Sequence, residues 1–194
     1  RNTFIRIDME DSTCVDKTLE LFFRVRKECG CSNVGIVIQS YLYRSADDIK
    51  AILADGGCVR LCKGAYKEPA SVAFPKKVDV DANYDRLAQM LIDGSLARST
   101  PRLSTDGKVP PIPGIASHDP KRLAFAKAYA EKVGLPKDAL EFQMLNGIRR
   151  DLQEQCVKEG YPVRIYVPYG TEWYPYYVRR LAEPLVQRRL ARGQ

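Results

Sequence analysis

Hydrophobic positions along this chain follow two alternating rhythms. Short runs that are apolar at nearly every position recur between longer stretches in which apolar residues return every three or four positions. Val34-Gly35-Ile36-Val37-Ile38-Gln39 belongs to the first kind, apolar on both faces until it ends in a polar residue. A strand of that kind is covered on both sides, as in a parallel sheet. Similar runs predict strands over residues 3–8, 58–66, 112–118, 140–145 and 162–168. Between them the spacing turns helical. Val15, Leu19, Phe22 and Phe23 give a helix that Asp11-Ser12 caps and Gly30 ends, running through Lys27. Ser45 stands as the N-cap of the next, with Asp47 and Asp48 in its first turn and Gly56-Gly57 as its stop. Residues 81–92 carry the pattern through Tyr84, Leu87, Ala88 and Leu91. Asp119 as N-cap and Pro120 at the first position open a helix that Gly134 closes. Residues 148–159 form another, and a last one carries Arg179 and Arg180. Residues 67–77 read as a loop. Residues 94–113, rich in Ser, Pro and Gly, read as a long surface connection.

Strand followed by helix, repeated about six times, predicts an α/β fold with a parallel sheet and helices outside it. Neither GxGxxG nor a Walker A sequence occurs, so a doubly wound nucleotide fold has no fingerprint here. Polar and aromatic residues collect where the strands end: Asp8, Gln39, Tyr66, His118, Gln143 and Tyr166. That is where the active site of a (β/α)8 TIM-type barrel sits. Such a barrel takes about 250 residues and eight units. The 194 residues form one barrel domain with about six of the eight units visible, and two more are expected upstream of Arg1.

Composition narrows the chemistry. Hydrophobic residues are 45% and charged residues 28%, ordinary for a globular chain. No apolar run approaches the roughly 18 residues that span a bilayer, and no signal peptide is recognisable. The net charge of +7 suits nucleic acid, an anionic membrane or a phosphate-bearing ligand. It is spread along the chain, and no nucleic-acid-binding motif accompanies it, so no nucleic-acid partner is expected. Its densest patch is C-terminal, at Arg188, Arg189 and Arg192. The six cysteines form no CxxC, and there is one histidine. A zinc site is therefore not expected, and the cysteines read as free thiols in a reducing compartment. Arg60 and Lys63 sit in an otherwise buried-looking strand, where a desolvated cation needs a partner. Arg179-Arg180, followed by Glu183 one turn on, would by itself be a solvated helix face. The same pair can also clamp a small carboxylate or phosphate.

Five segments occur in order: Arg60-Leu61-Cys62-Lys63-Gly64-Ala65-Tyr66, Ala116-Ser117-His118, Glu141-Phe142-Gln143-Met144-Leu145, Arg164-Ile165-Tyr166-Val167-Pro168 and Tyr176-Tyr177-Val178-Arg179-Arg180-Leu181-Ala182-Glu183. Together they resemble the proline dehydrogenase family, flavoenzyme barrels that oxidise L-proline to Δ1-pyrroline-5-carboxylate. The resemblance covers nearly the whole chain. It implies FAD as cofactor, L-proline as substrate and a quinone as electron acceptor, with peripheral membrane association. It also implies residence at the bacterial inner membrane from the cytoplasm, or in mitochondria.

Residue by residue, the resemblance implies that Arg179 and Arg180 hold the substrate carboxylate. Tyr66, Tyr166, Tyr176 and Leu61 would enclose the ring, with Asp8 nearby, and Arg60 would stand beside flavin N5. Gln39 would bond the flavin ring, while Lys63, Gly64, Ala65, Ser117, His118, Gln143, Met144, Leu145 and Glu183 would line the rest of the FAD. Arg60, Tyr166 and Asp8 are the expected catalytic residues, and no metal is implied. The family's lysine near the substrate and the acid that pairs with its first arginine have no counterpart in this sequence. Residues 94–113 match no family motif. Two other readings remain. One is a flavin barrel of different specificity, such as a hydroxyproline dehydrogenase or a methylenetetrahydrofolate reductase-like enzyme. The other is a non-catalytic basic binding module.

Overall fold

Each expected strand forms, and each pairs with the next. The computed structural model describes residues 3–171 together with Tyr174 and Val178. The strands are β1 (Ile5–Ile7), β2 (Val34–Gln39), β3 (Cys58–Cys62), β4 (Pro113–Ala116), β5 (Glu141–Leu145) and β6 (Val163–Tyr166). They form one 6-stranded sheet in sequence order, parallel at every pairing. The helices between them are α1 (Val15–Lys27), α2 (Ser45–Ala54), α3 (Lys77–Leu96), α4 (Pro120–Lys132) and α5 (Arg150–Lys158). Serial parallel order with a helix in each crossover is the arrangement of a TIM-type barrel, here as an arc of six strands.

The caps follow the local chemistry. Asp11 accepts from the Thr13 backbone N–H at the head of a 3-10 turn (Ser12–Cys14) that leads into α1. Asp119 accepts from the Lys121 N–H, with Pro120 opening α4. Ser45 differs from expectation. It is the first helical residue, Arg44 holds the cap position, and the Ser45 hydroxyl donates back to the Gln39 carbonyl at 2.5 Å.

The third helix is longer than residues 81–92. It runs on through Gly94, the expected start of the connection that follows. Gly94 is instead where α3 meets α2: a Cβ there would lie 2.6 Å from Leu53 Cδ1. The connection expected over 94–113 thus shrinks to 97–112. It folds back on the sheet, with Leu103 donating to the Asp138 carbonyl and Ser104 and Val109 bonded across its tip.

The core lies between sheet and helices. Ile36, Ile38, Val59, Leu61, Ile115 and Phe142 meet Phe22, Ile49, Ile52, Tyr84, Leu87, Leu91 and Leu123 in one continuous cluster. The opposite face of the sheet, on the concave side of the arc, holds a different set: Arg6, Cys58, Arg60, Glu141, Gln143 and Arg164.

Candidate functional site

The strands end at one rim, and the residues that follow them gather there. Asp8 lies just past β1 and Gln39 ends β2. Lys63, Gly64, Ala65 and Tyr66 follow β3, and Ser117 and His118 follow β4. Leu145 ends β5 and Tyr166 ends β6.

Arg60 is the centre. On β3 the alternation of a strand sends Cys58, Arg60 and Cys62 to the concave face and leaves Val59 and Leu61 in the core. Arg60 Nε donates to Gln143 Oε1 at 2.6 Å. Its Nη1 stands 3.7 Å from Asp8 Oδ2, and the guanidinium carbon is 5.4 Å from the centroid of the Tyr166 ring. Three residues, one just past β1 and the others on β5 and β6, therefore meet one cation. The Arg60 side chain is 17% exposed, so these contacts lie in a partly desolvated place.

Behind Gln143 the chain of contacts continues. Its Nε2 donates to Glu141 Oε1 at 2.6 Å. Glu141 is 1% exposed and accepts from Arg164 through Nε at 3.0 Å and Nη2 at 2.8 Å. Arg164 also donates to the Gly107 carbonyl in the 97–112 connection. Arg6 lies in the same interior, donating to the carbonyls of Ile36 and Cys58. Burial, and then the nearby Arg60 cation, pull its guanidinium down to about 10. Gln143 is an expected site residue, whereas Arg6 and the motif residues Glu141 and Arg164 carry no expected role. The available signal is their spacing: charged or amide residues at every second position of apolar strands mark a polar inward face.

Gln39 is 3% exposed. Its Nε2 donates to the Glu10 carbonyl at 3.2 Å, while its Oε1 is buried with no hydrogen-bond partner among the described residues. An orphaned buried acceptor carries a desolvation cost that a ligand N–H would remove. Tyr66 donates to Glu10, and Glu68 accepts from the Ser12 backbone and hydroxyl, so the loops after β1 and β3 are joined over β2. His118 Nε2 accepts from the Leu145 N–H at 3.0 Å, linking the ends of β4 and β5. Ser117 Oγ accepts from the Asp119 N–H.

Leu61 and Met144 stand away from the rim, and Lys63 and Gly64 have close contacts within the protein. Leu61 (0% exposed) and Met144 (2%) have their side chains in the core, because strand alternation turns them away from Arg60 and Gln143. The structure does not bring either side chain to the rim. Lys63 reaches Asp81 Oδ1 at 2.5 Å and Asp119 Oδ2 at 2.8 Å, so its charge is already matched by two carboxylates. Gly64 has φ +110, and a Cβ there would strike the Tyr41 ring at 2.6 Å. The need for glycine is thus met inside the protein. Tyr176, Arg179, Arg180 and Glu183 lie outside the described residues.

A hollow of about 810 Å³ lies on the helical layer between α4 and α5, beside Leu123, Lys127, Leu152 and Tyr161. It contains none of the residues that meet at Arg60. Among the described residues no group of three or more His, Cys, Asp or Glu is placed to hold a metal ion. No helix among them is long and apolar enough to cross a membrane.

Comparison with known proteins adds a family match and a match of fold. The family model described as Proline dehydrogenase matches residues 1–186. A Proline dehydrogenase of Deinococcus radiodurans is 47% identical over 181 residues, which are 93% of this chain and 53% of that protein. Proline dehydrogenase 2 of Bacillus subtilis is 42% identical over 180 residues, 92% of this chain and 54% of that protein. The chain thus spans about half the length of the curated relatives it matches. Among solved structures, proline utilization A from Bdellovibrio bacteriovorus, inactivated by N-propargylglycine, superposes with a TM-score of 0.77 at 33% identity. That match covers 92% of this chain and 19% of that one.

Proposed function

The chain belongs to the proline dehydrogenase family, and on that premise we propose that its full protein oxidises L-proline to Δ1-pyrroline-5-carboxylate with FAD as cofactor. The observation that carries this reading is the convergence of Asp8, Gln143 and Tyr166 on Arg60 at the rim where barrel enzymes act. The residues present fit a flavin. Gln39 Oε1 is a buried acceptor lacking a donor among the described residues, which suits a flavin ring N–H, and Arg60 supplies a held cation nearby. The net charge of +7 suits the FAD pyrophosphate.

Bound FAD supplies the acceptor for the hydride that leaves proline. The protein's part is placement and charge. Arg60, restrained by Gln143, presents positive charge where electron density rises during transfer, and a preorganised charge costs no reorganisation at that moment. The rings of Tyr66 and Tyr166 shut water away from an apolar pyrrolidine. Asp8, near Arg60 but more than half exposed, limits the excess positive charge at the rim. Arg179 and Arg180, which lie outside the described residues, would hold the substrate carboxylate by charge-assisted contacts, Tyr176 would enclose the ring and Glu183 would line the FAD. Ser117, His118 and Leu145 line the cofactor at the ends of β4 and β5, with Lys63, Gly64 and Ala65 on the turn after β3. Electrons then pass to a quinone, and the basic residues 185–192 favour a loose association with an anionic membrane surface. Tyr166 at the rim favours proline over hydroxyproline, whose ring hydroxyl its bulk would crowd.

The test is anaerobic mixing of the purified full-length flavoprotein with L-proline. Bleaching of the visible flavin absorbance, with pyrroline-5-carboxylate formed, is expected. Protein that holds FAD but stays oxidised under excess L-proline overturns the substrate assignment.

A further inference from the structure

We propose that Glu141 is a positioning residue that sets the direction of the Arg60 guanidinium through the Gln143 amide. The argument rests on what each group can donate or accept. An ionised carboxylate only accepts, a guanidinium only donates, and an amide does one at each end. Gln143 lies between Glu141 and Arg60, 2.6 Å from each. With Glu141 on one side, the amide must turn its NH2 toward the carboxylate. Its Oε1 then faces Arg60 Nε. Any other orientation sets donor against donor and acceptor against acceptor. Glu141 therefore locks the amide in the one orientation that offers Oε1 to Arg60, although it does not touch Arg60.

Two features keep this relay rigid. Gln143 lies against Gly114 on β4, where a Cβ would come 2.9 Å from Nε2. Glu141 is in turn held by Arg164, which is anchored at the Gly107 carbonyl. The ion pair of Glu141 and Arg164 does not need Gln143 for its own charge balance; the amide adds direction. If the Nε bond is lost, the nearest anion for Arg60 is Asp8, now 3.7 Å away. The guanidinium then swings toward the exposed side of the rim.

The positioning stands on geometry alone, whereas its effect on rate rests on the reading of Arg60 given above. The experiment therefore has two arms in the full-length protein. In the first, without flavin, hydrogen exchange of the Arg60 Nε–H is followed by NMR and assigned by its loss in R60K. Exchange about tenfold faster is expected in E141Q and in Q143L, consistent with loss of one buried hydrogen bond. The double variant E141Q/R164Q removes the ion pair as a whole, so the Arg164 cation is not left without its carboxylate. It is expected to show the same acceleration and covers the case in which E141Q does not fold. In the second arm, FAD-loaded E141Q is expected to be reduced by saturating L-proline about tenfold more slowly, with KM changed by less than about twofold.

Unchanged Nε–H exchange in the folded variants overturns the proposal. Faster exchange with unaltered reduction overturns its consequence for the reaction. If L-proline fails to reduce the unsubstituted flavoprotein, the proposed function fails, and the exchange measurement still decides the positioning.

Discussion

At the residue scale, Arg60 shows how a charge in an apolar strand acquires meaning. In the sequence it is a cation in need of a partner. In the fold it has three neighbours, one just past β1 and the others on β5 and β6. Arg60→Met is expected to slow flavin reduction by L-proline by about 100-fold, the usual scale for losing one preorganised electrostatic contact. Rapid-mixing absorbance measures it, and an unchanged rate would remove Arg60 from the chemistry. The two cysteines flanking Arg60 on the same face behave differently. Burial, and then the nearby Asp8 carboxylate, push the Cys62 thiol up to about 12. Burial also raises Cys58, although the Arg6 cation opposes it. The thiolate is the reactive form. Treatment of native protein with iodoacetamide at about pH 8 is expected to modify the exposed Cys29 and to spare Cys58 and Cys62. Peptide mass spectrometry reads the result directly. The inward role of Arg60 was legible from its burial and its family motif. The spacing of Arg6, Glu141 and Arg164 marks an inward face, but their pairing was not legible, because Arg164 meets Glu141, and Arg6 meets Ile36 and Cys58, across long stretches of sequence.

At the scale of elements, Lys63 ties three together. It follows β3 and pairs with Asp81 of α3 and with Asp119, the cap of α4. Burial raises the Asp81 carboxyl, but hydrogen bonds from Lys63 and Lys77 outweigh it and hold the group below its ordinary value. Asp119 likewise is raised by burial and lowered further by Lys63. A carboxylate depressed in the folded state contributes stability above its unfolded value of 3.8 and loses it as pH falls through the folded value. Lys63→Met is therefore expected to cost about 2 kcal/mol near neutral pH, less than for a fully buried pair because all three groups keep some solvent. The difference from the unsubstituted protein should close as pH falls below 3.8 and on through the depressed folded values of both carboxyls. Urea unfolding at several pH values checks this, and a gap independent of pH would contradict it. The strands and caps of these elements were readable in advance because they depend on neighbours in sequence. The length of α3 was not. Gly94 is a helix stop by propensity and a helix interior by packing, since Leu53 of α2 occupies the space its side chain would need.

At the scale of the molecule, one core runs unbroken from Met9 to Tyr161 beneath all six strands. Each ladder shares buried side chains with the next, so no strand pair has a core of its own. Thermal unfolding is expected to be a single transition, coincident by far-ultraviolet circular dichroism and by tyrosine fluorescence. Separate midpoints for the two probes would show that the arc divides into independent parts. The 97–112 connection, which fits no motif, is part of this unit. Its backbone meets Asp138 and Arg164, so it braces the concave side of the arc.

The sequence by itself determined the order of elements, the parallel sheet, most caps and the rim at which the polar residues collect. All of these follow from periodicity and local hydrogen bonding, which act over a few residues. The family, too, was readable there, because its motifs are contiguous. Only the tertiary structure decided which side chains meet: that Lys63 is matched by Asp81 and Asp119, that Leu61 and Met144 turn into the core, and that Gln39 keeps an oxygen unmatched among the described residues. It also decided that Glu141, through Gln143, stands behind Arg60. Those outcomes depend on register between strands, and register is set by packing across the whole sheet rather than by any one stretch of chain.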